Sequence, residues 1–569
     1  MSKYYYGEER DFYDAIVVGT GISGGWAAKE LCESGLKTLV LERGRMVEHV
    51  KDYETANKDD WDFPNGGKLS QKELALQPKQ ARTGYIMHAA SHKWFVNDIE
   101  HPYSETKPFD WHRGYHVGGR SIMWGRHSYR WSDMDFAANK EDGHGIDWPV
   151  RYKDIAPWYS KVESFIGVSG EPLGLPQLPD SEFLPMMELN CVEQHFREKV
   201  SEGFDGRVVT SGRIAHITGD KRFEGRTNCQ YRNRCIRGCP YGGYFSSNAA
   251  TLPAAAKTGN MTLRPDSVVA EVIYDPDTKK ASGVKVIDRL TKEEMVFNAK
   301  VIFLCASTVG STSILMQSRS DRFPNGLGND SDQLGRNMMD HHLGVGASGT
   351  FDGYDDKYYK GRRPGGVYIP RFRNLGGNSK KDFIRGYGYQ GGASRGNWQD
   401  AVAELSMGKD LKEAILSPGG WRMGISGFGE ILPYEDNRMT LDYDKVDGWG
   451  LPTVNFDADI RDNELKMRED MVSQAAEMLK KAGMKDVKER NGTYNMGHGI
   501  HEMGTARMGR DAKTSVLNGN NQVHAVPNVY VTDGSFMTSA SCVNPSLTYM
   551  AFTARAANHA VKELKKGNI

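Results

Sequence analysis

Three sets of residues in this 569-residue chain have the types and spacing to do chemistry. His501 stands in His501-Glu-Met-Gly504 and Asn544 in Val543-Asn544-Pro545, both near the C-terminus. A neutral imidazole can take the proton of an alcohol, and a carboxamide can hold the same oxygen. The chemistry alone leaves a plainer reading open: a structural histidine, and an asparagine capping a helix whose first residue is Pro545. The second set is Cys229, Cys235 and Cys239, separated by five and three residues, with Gly238 and Pro240 about the last. Such a loop can bring three thiolates to one side. Zinc would want a fourth ligand, and His216 and Cys191 are the nearest in sequence. Three thiolates without a fourth suit a three-iron cluster, or a four-iron cluster with an open corner; three unlinked thiols are the plain alternative. Arg226, Arg232, Arg234 and Arg237 flank them and would offset thiolate charge. The third set, Gly19, Gly21 and Gly24 followed by Glu42, addresses a dinucleotide.

Each set needs an element to position it. Ala15 to Val18 is apolar and predicts a buried strand that the glycines turn into a helix starting near Ile22 and Ser23. Gly19 allows the turn, Gly21 lets a pyrophosphate approach the helix's free N–H groups, and Gly24 lets helix and strand pack closely. Glu42 closes a second strand, Thr38-Leu-Val-Leu, where its carboxylate can accept ribose hydroxyls. Residues 262–275 and 282–303 read as β-rich, and Val301 to Ala306 as a buried strand leading into a small-residue turn and a helix. From about 345 to 490 the chain is rich in glycine and aromatics and predicts irregular strands, with an amphipathic helix over 462–482. Asn528 to Thr532 is a strand ending at Asp533-Gly534, a pair suited to a second phosphate or ribityl contact. Ser546 to Lys566 is the final helix. Asp340-His341-His342 reads as a solvated turn, with a metal or substrate role as the alternative. Trp398, Trp421 and Trp449 read as core, or as platforms for a sugar ring.

The bulk composition excludes several classes. Lys plus Arg and Asp plus Glu both number 73, so no basic excess exists to neutralise nucleic-acid phosphates. No apolar run reaches the roughly 18 residues a membrane span needs. Seven cysteines, an odd number, argue against a disulfide framework, and Cys32 and Cys305 read as inert core thiols.

The glycine motif, Gly118-Gly119-Arg120-Ser121-Ile-Met123-Trp-Gly125, His501 and Asn544 together resemble the glucose-methanol-choline oxidoreductase family, in order and over nearly the whole chain. The resemblance implies an α/β fold: an FAD-binding Rossmann-like domain built from both chain ends, and an α+β substrate domain carrying an antiparallel sheet. It divides the chain into 1–155 (FAD-binding, first part), 156–224 (substrate-domain segment) and 225–330 (iron–sulfur loop and FAD-binding, second part). Residues 331–494 are then substrate domain, and 495–569 the last FAD-binding part with the catalytic pair. It implies that His501 is the base while hydride passes to the flavin, with Asn544 as second catalytic member. It adds Gly118, Gly119 and Ser121 beside the flavin, Asp533 near the pyrophosphate and Val269 near the adenine. The expected cofactor set is therefore Gly19, Gly21, Ile22, Ser23, Gly24, Glu42, Arg43, Gly118, Gly119, Ser121, Val269, Asp533, Gly534, Asn544, Pro545 and Thr548. Relatives that bond flavin covalently use a histidine where Met123 stands here, so FAD is expected to be non-covalent.

The cysteine spacing resembles the iron–sulfur loop of flavoprotein large subunits of bacterial sugar dehydrogenases, which implies Cys229, Cys235 and Cys239 as ligands, most simply of a 3Fe-4S cluster. Such subunits work beside a small subunit (like subunit 3 of gluconate 2-dehydrogenase) and a cytochrome c-type acceptor. Gly118 to Phe136 and Asp147 to Tyr159 look most like glucoside 3-dehydrogenase subunits, which oxidise C3 of glucosides and disaccharides to 3-keto sugars. Gluconate 2-dehydrogenase or another polyol dehydrogenase, and an oxygen-using sugar oxidase, are the alternatives. The first ten residues hold no apolar signal core or twin arginine, so the expectation is a periplasmic protein exported folded with a signal-bearing partner, or else a cytoplasmic one.

Overall fold

The computed structural model describes residues 3–357, 364–375, 382–396, 407–416 and 419–569. Trp398 lies outside them. Phe12–Val18 forms the expected strand, and its apolar run is buried on both faces because parallel neighbours flank it: Thr38–Leu41 on one side and Glu294–Leu304 on the other. The sheet continues outward to Met261–Arg264 beyond the first neighbour and to Val526–Val531 beyond the second, both again parallel. The antiparallel strands Ser267–Asp275 and Lys280–Asp288 branch from it. Strands that neighbour each other in space thus come from residues 12–41, 261–304 and 522–531. The helices Ile22–Glu33 and Ser546–Lys566 pack on each other across the chain's two ends.

A second sheet is fully antiparallel, in the order Lys485–Asn491, His341–Phe351, Trp421–Glu430, Tyr387–Arg395, Val367–Ile369 and Thr210–Ser211. These strands correct the expectation of irregular ones: the three central members run for 11, 10 and 9 residues. Glycine hides the alternation because it stands where the neighbouring strand leaves no room. A Cβ at Gly346 would lie 2.1 Å from the Ile425 carbonyl oxygen, and one at Gly391 2.2 Å from that of Gly424. The helix Asp462–Lys481, within a residue of its predicted span, covers one face through Met467, Met471, Met478 and Leu479. Gln390 and Ser426 are paired across two strands, and Phe428 is two residues on, so all three share the other face. That face looks onto the first sheet's loops.

Gly24 shows how tightly the nucleotide turn is set. A Cβ there would stand 1.9 Å from the Gly19 carbonyl oxygen, whereas one at Gly21 would meet nothing within 4 Å. Gly24→Ala is therefore expected to cost about 1–3 kcal/mol through backbone overlap, and Gly21→Ala almost nothing. Thermal unfolding of the two variants side by side checks the contrast.

Candidate active site

A cavity of about 600 Å³ runs between the two sheets. One end is built from the strand, turn and helix at the N-terminus. Gly21 precedes the helix Ile22–Glu33 without any side-chain cap, so the first N–H groups face the cavity that Gly19, Gly21, Ile22 and Ser23 line. The Glu42 carboxylate is buried there. Thr20 donates to Oε2 through its N–H (3.1 Å) and hydroxyl (2.5 Å), and the Gly44 N–H donates to Oε1 (3.0 Å). Oε2 thus has both lone pairs engaged, whereas Oε1 keeps one for a further donor. Arg43 lines the same end, with its guanidinium over the Tyr115 and Trp449 rings and 2.8 Å from Asp447. Trp449 in turn stacks on His101, while Trp421 is core; neither stands free as a sugar platform. Val269 lines the cavity, as do Asp533 and Gly534. Asp533 is buried and accepts from Ser311 and Ser535, and burial raises its pKa.

The second glycine segment lies across the first. Gly118 and Gly119 have φ of +91° and +49°, and a Cβ at Gly119 would stand 3.3 Å from the Gly21 Cα. The Gly118 N–H donates to Thr20 Oγ1 at 2.9 Å, and Ser121 Oγ donates to the Gly118 carbonyl at 2.6 Å. Gly119, Ser121 and Met123 line the cavity. Four expected contact residues stand behind its wall instead. Gly24 packs on the turn, and Gly118 abuts Asn248, which a Cβ would strike at 1.6 Å. Thr548 shares a hydrogen bond with Tyr159 (2.8 Å), and Pro545 begins the final helix. Such a cradle fits the dinucleotide half of FAD: helix N–H groups for phosphate, a carboxylate for ribose and open space in front of Gly21.

At the other end the structure joins His501 and Asn544. Asn544 Nδ2 lies 3.3 Å from His501 Nε2, and Asn544 Oδ1 accepts from Gln390 Nε2 at 2.6 Å. The helix cap is Pro545, one residue later than expected, and it has no side-chain cap bond; the Asn544 side chain is committed to His501 and Gln390 instead. His501 is half-buried beside His341, and its pKa is driven well below the ordinary histidine value, chiefly by desolvation, with His341, Arg120 and His127 adding to it. It is a neutral base at neutral pH.

Asp340-His341-His342 is no solvated turn: all three are fully buried where the strand His341–Phe351 begins. Asp340 Oδ1 accepts the backbone N–H groups of His341 (2.8 Å) and His501 (3.0 Å). Its Oδ2 accepts from Tyr494 (2.8 Å) and from the N–H groups of Gly497 and Gly499 (both 2.9 Å). His341 Nδ1 lies 3.0 Å from His501 Nδ1. Gln390 and the pair of half-buried Arg120 with buried Glu502 (2.8 Å) are further residues that sequence reasoning missed. The acid and two imidazoles in a row were a signal; Gln390 gave none.

The cysteine loop is partly as expected. Cys229, Cys235 and Cys239 are free and half-buried. Burial pushes the Cys229 thiol up to about 12, Cys235 and Cys239 add to this, and Arg126 of the cavity wall opposes it. The three thiols are therefore neighbours beside the cavity. They are not drawn into a ligand set: among the described residues no three His, Cys, Asp or Glu side chains form a metal-binding group. Three of the four flanking arginines also turn away, Arg232 to Asn57, Arg234 to Asp59, and Arg237 to Lys58 and Asp60. Arg226 alone stays, buried, with its Nη2 lacking a partner and Cys239 in electrostatic reach.

Fold and site together define a flavin-dependent oxidoreductase of CH–OH groups. Family models described as GMC oxidoreductase match residues 13–343 and 433–553, and the chain belongs to that family. It is 27% identical to 2-methyl-1,2-propanediol dehydrogenase of Mycolicibacterium austroafricanum, over 96% of this chain and 95% of that one. It is 26% identical to the fructose dehydrogenase large subunit of Gluconobacter japonicus, over 97% and 98%. Formate oxidase of Aspergillus oryzae has the same fold, with a TM-score of 0.60 at 14% identity over 99% of this chain and all of that one. Among the described residues no helix is long and apolar enough to cross a membrane.

Since Gly21 borders open cavity, Gly21→Val is expected to fold normally yet retain less than about a tenth of the wild-type flavin, an effect of about 1.4 kcal/mol or more on binding. The ratio of 450 nm to 280 nm absorbance after gel filtration reads it directly.

Proposed function

We propose that this chain is the flavoprotein subunit of a sugar dehydrogenase that oxidises a secondary hydroxyl, C3 of a glucoside or disaccharide, to the 3-keto sugar. The observation that carries the reading is the meeting of His501 and Asn544, 43 residues apart in sequence, on the wall of the cavity that the glycine motifs line. His501 Nε2 takes the hydroxyl proton, and Asn544 with Gln390 orients the same oxygen. FAD, when bound without a covalent bond, supplies the acceptor for the hydride that leaves the carbon. The uncapped start of the helix Ser546–Lys566 offers N–H groups and a positive dipole end to negative charge in the cavity, which Ser546 lines. Gln390, Ser426, Arg126 and His127 make this end of the cavity polar, with Trp124 and Phe428 as apolar faces, which suits a sugar ring. Choice of C3 rests on the likeness of residues 118–136 and 147–159 to glucoside 3-dehydrogenase subunits; gluconate and other polyols are the alternative substrates.

In this reading Cys229, Cys235 and Cys239 would hold an iron–sulfur cluster, which would supply a one-electron relay toward a cytochrome c-type acceptor. Its support is the ligand spacing, the unpartnered Arg226 Nη2 within electrostatic reach of Cys239, and the electrostatic reach of Arg126, on the cavity wall, to Cys229. The ligands must close in when the metal is inserted. A small subunit completes the assembly and carries the chain folded to the periplasm, in keeping with the large-subunit relative.

His501→Ala is expected to keep its flavin but to slow anaerobic flavin reduction by sugar about 10²–10⁴-fold; reduction at the normal rate would remove His501 from the role of base. Protein purified without oxygen is expected to hold about three irons and four acid-labile sulfides. Iron-free protein that still reduces a cytochrome would end the relay, and abundant peroxide would favour the oxidase alternative.

A further inference from the structure

We propose that His341 is a positioning residue that keeps the proton of His501 on Nδ1 and so leaves Nε2 as the nitrogen facing substrate; this rests on the reading of His501 as the base. The starting point is the far side of the His341 ring. Its Nε2 lies 2.9 Å from the Ser541 carbonyl oxygen and 3.2 Å from that of Ala540. Carbonyl oxygens only accept, so Nε2 carries a hydrogen. Burial holds this imidazole's pKa down, to about 4, so at neutral pH it has one N–H and Nδ1 is a bare lone pair. That lone pair is 3.0 Å from His501 Nδ1. The hydrogen between the two rings therefore belongs to His501. His501 is also neutral and has one N–H, which leaves its Nε2 unprotonated.

The opposite edge of His501 agrees. Asn544 Oδ1 is taken by the Gln390 N–H, which turns the Asn544 amide hydrogens toward His501 Nε2, a donor facing a lone pair. Both carboxamides can be turned together without losing a bond. The carbonyls of Ala540 and Ser541 cannot, so the assignment is anchored on them.

Placement of the two rings is fixed by Asp340, whose Oδ1 accepts the backbone N–H of each. The charged and titratable groups around them are Arg120 with its partner Glu502, and His127, beside His501, and His342 and Arg468 on the His341 side. When His501 takes the alcohol proton on Nε2, its Nδ1–H keeps donating to His341, whose own N–H ends on the two carbonyls. The new positive charge is thus spread along a fixed chain of dipoles without any rearrangement. Removal of the His341 acceptor would leave a buried N–H unpaired and let the other tautomer compete, with Nε2 then protonated and unable to act as base.

The test uses FAD-loaded enzyme, anaerobic stopped-flow flavin reduction and a glucoside that reduces the unaltered protein. His341→Leu removes the acceptor, whereas His341→Asn can place an oxygen where Nδ1 was. The expected result is a fall of about 100-fold in the limiting reduction rate for His341→Leu, with sugar affinity changed less than about threefold, and recovery of at least tenfold in His341→Asn. A leucine variant with full flavin that reduces within threefold of wild type overturns the proposal, as does an asparagine variant no better than leucine. Should the leucine variant fail to hold flavin, ¹⁵N NMR of histidine-labelled wild-type enzyme decides. A protonated Nδ1 and bare Nε2 on His501 upholds the proposal, and the reverse pattern refutes it. Failure of the base assignment looks different, since His501→Ala would then reduce normally.

Discussion

One buried carboxylate holds the reactive end of this molecule together. Asp340 takes backbone N–H groups from His341 and His501 on one oxygen and a tyrosine and two glycine N–H groups on the other. Burial and the nearby Glu502 push its pKa up, to about 7, while these five donors favour the charged form. The strand that begins at His341 and the segment that carries His501 are therefore fixed to one point, although the two histidines stand 160 positions apart in the chain.

Around that point the chain ends cooperate. The parallel sheet takes its central strand from residue 12 onward and an edge from residues 522–531, so the helix that follows Asn544 is laid beside the helix that follows Gly21. Both helices begin without side-chain caps, and both starts lie at the cavity. The antiparallel sheet supplies the other wall with Gln390, Ser426 and Phe428. A site of this kind needs distant strands to agree in register, because a shift of one residue would turn Gln390 away from Asn544.

Much of this was legible in the residues. Gly19, Gly21, Gly24 and Glu42 announce the nucleotide turn because each serves a local steric or hydrogen-bonding need, and the helices at 462–481 and 546–566 show apolar periodicity. The glycine-interrupted strands were not legible, since Gly346 and Gly391 answer to the backbone of a neighbouring strand rather than to a hydrophobic face. Asp340 and His341 were misjudged for a related reason: polar residues buried by tertiary partners resemble polar residues exposed to water until those partners are known. Gln390 is a single polar side chain in a glycine-rich strand, and only pairing with Ser426 shows which way it points. At the cysteine loop the spacing speaks for a cluster while the side chains stand as neighbours, and the arginines expected to balance charge are mostly spent on residues 57–60.

The central claim is that an imidazole and a carboxamide act together on one substrate oxygen at the edge of the flavin. A crystal structure of the FAD-loaded enzyme with a slowly oxidised sugar analogue tests it most directly. The expected result is one sugar hydroxyl within about 3.2 Å of both His501 Nε2 and Asn544 Nδ2, with its carbon against the ring. A sugar bound elsewhere in the cavity, or a flavin ring remote from these two side chains, would contradict the account.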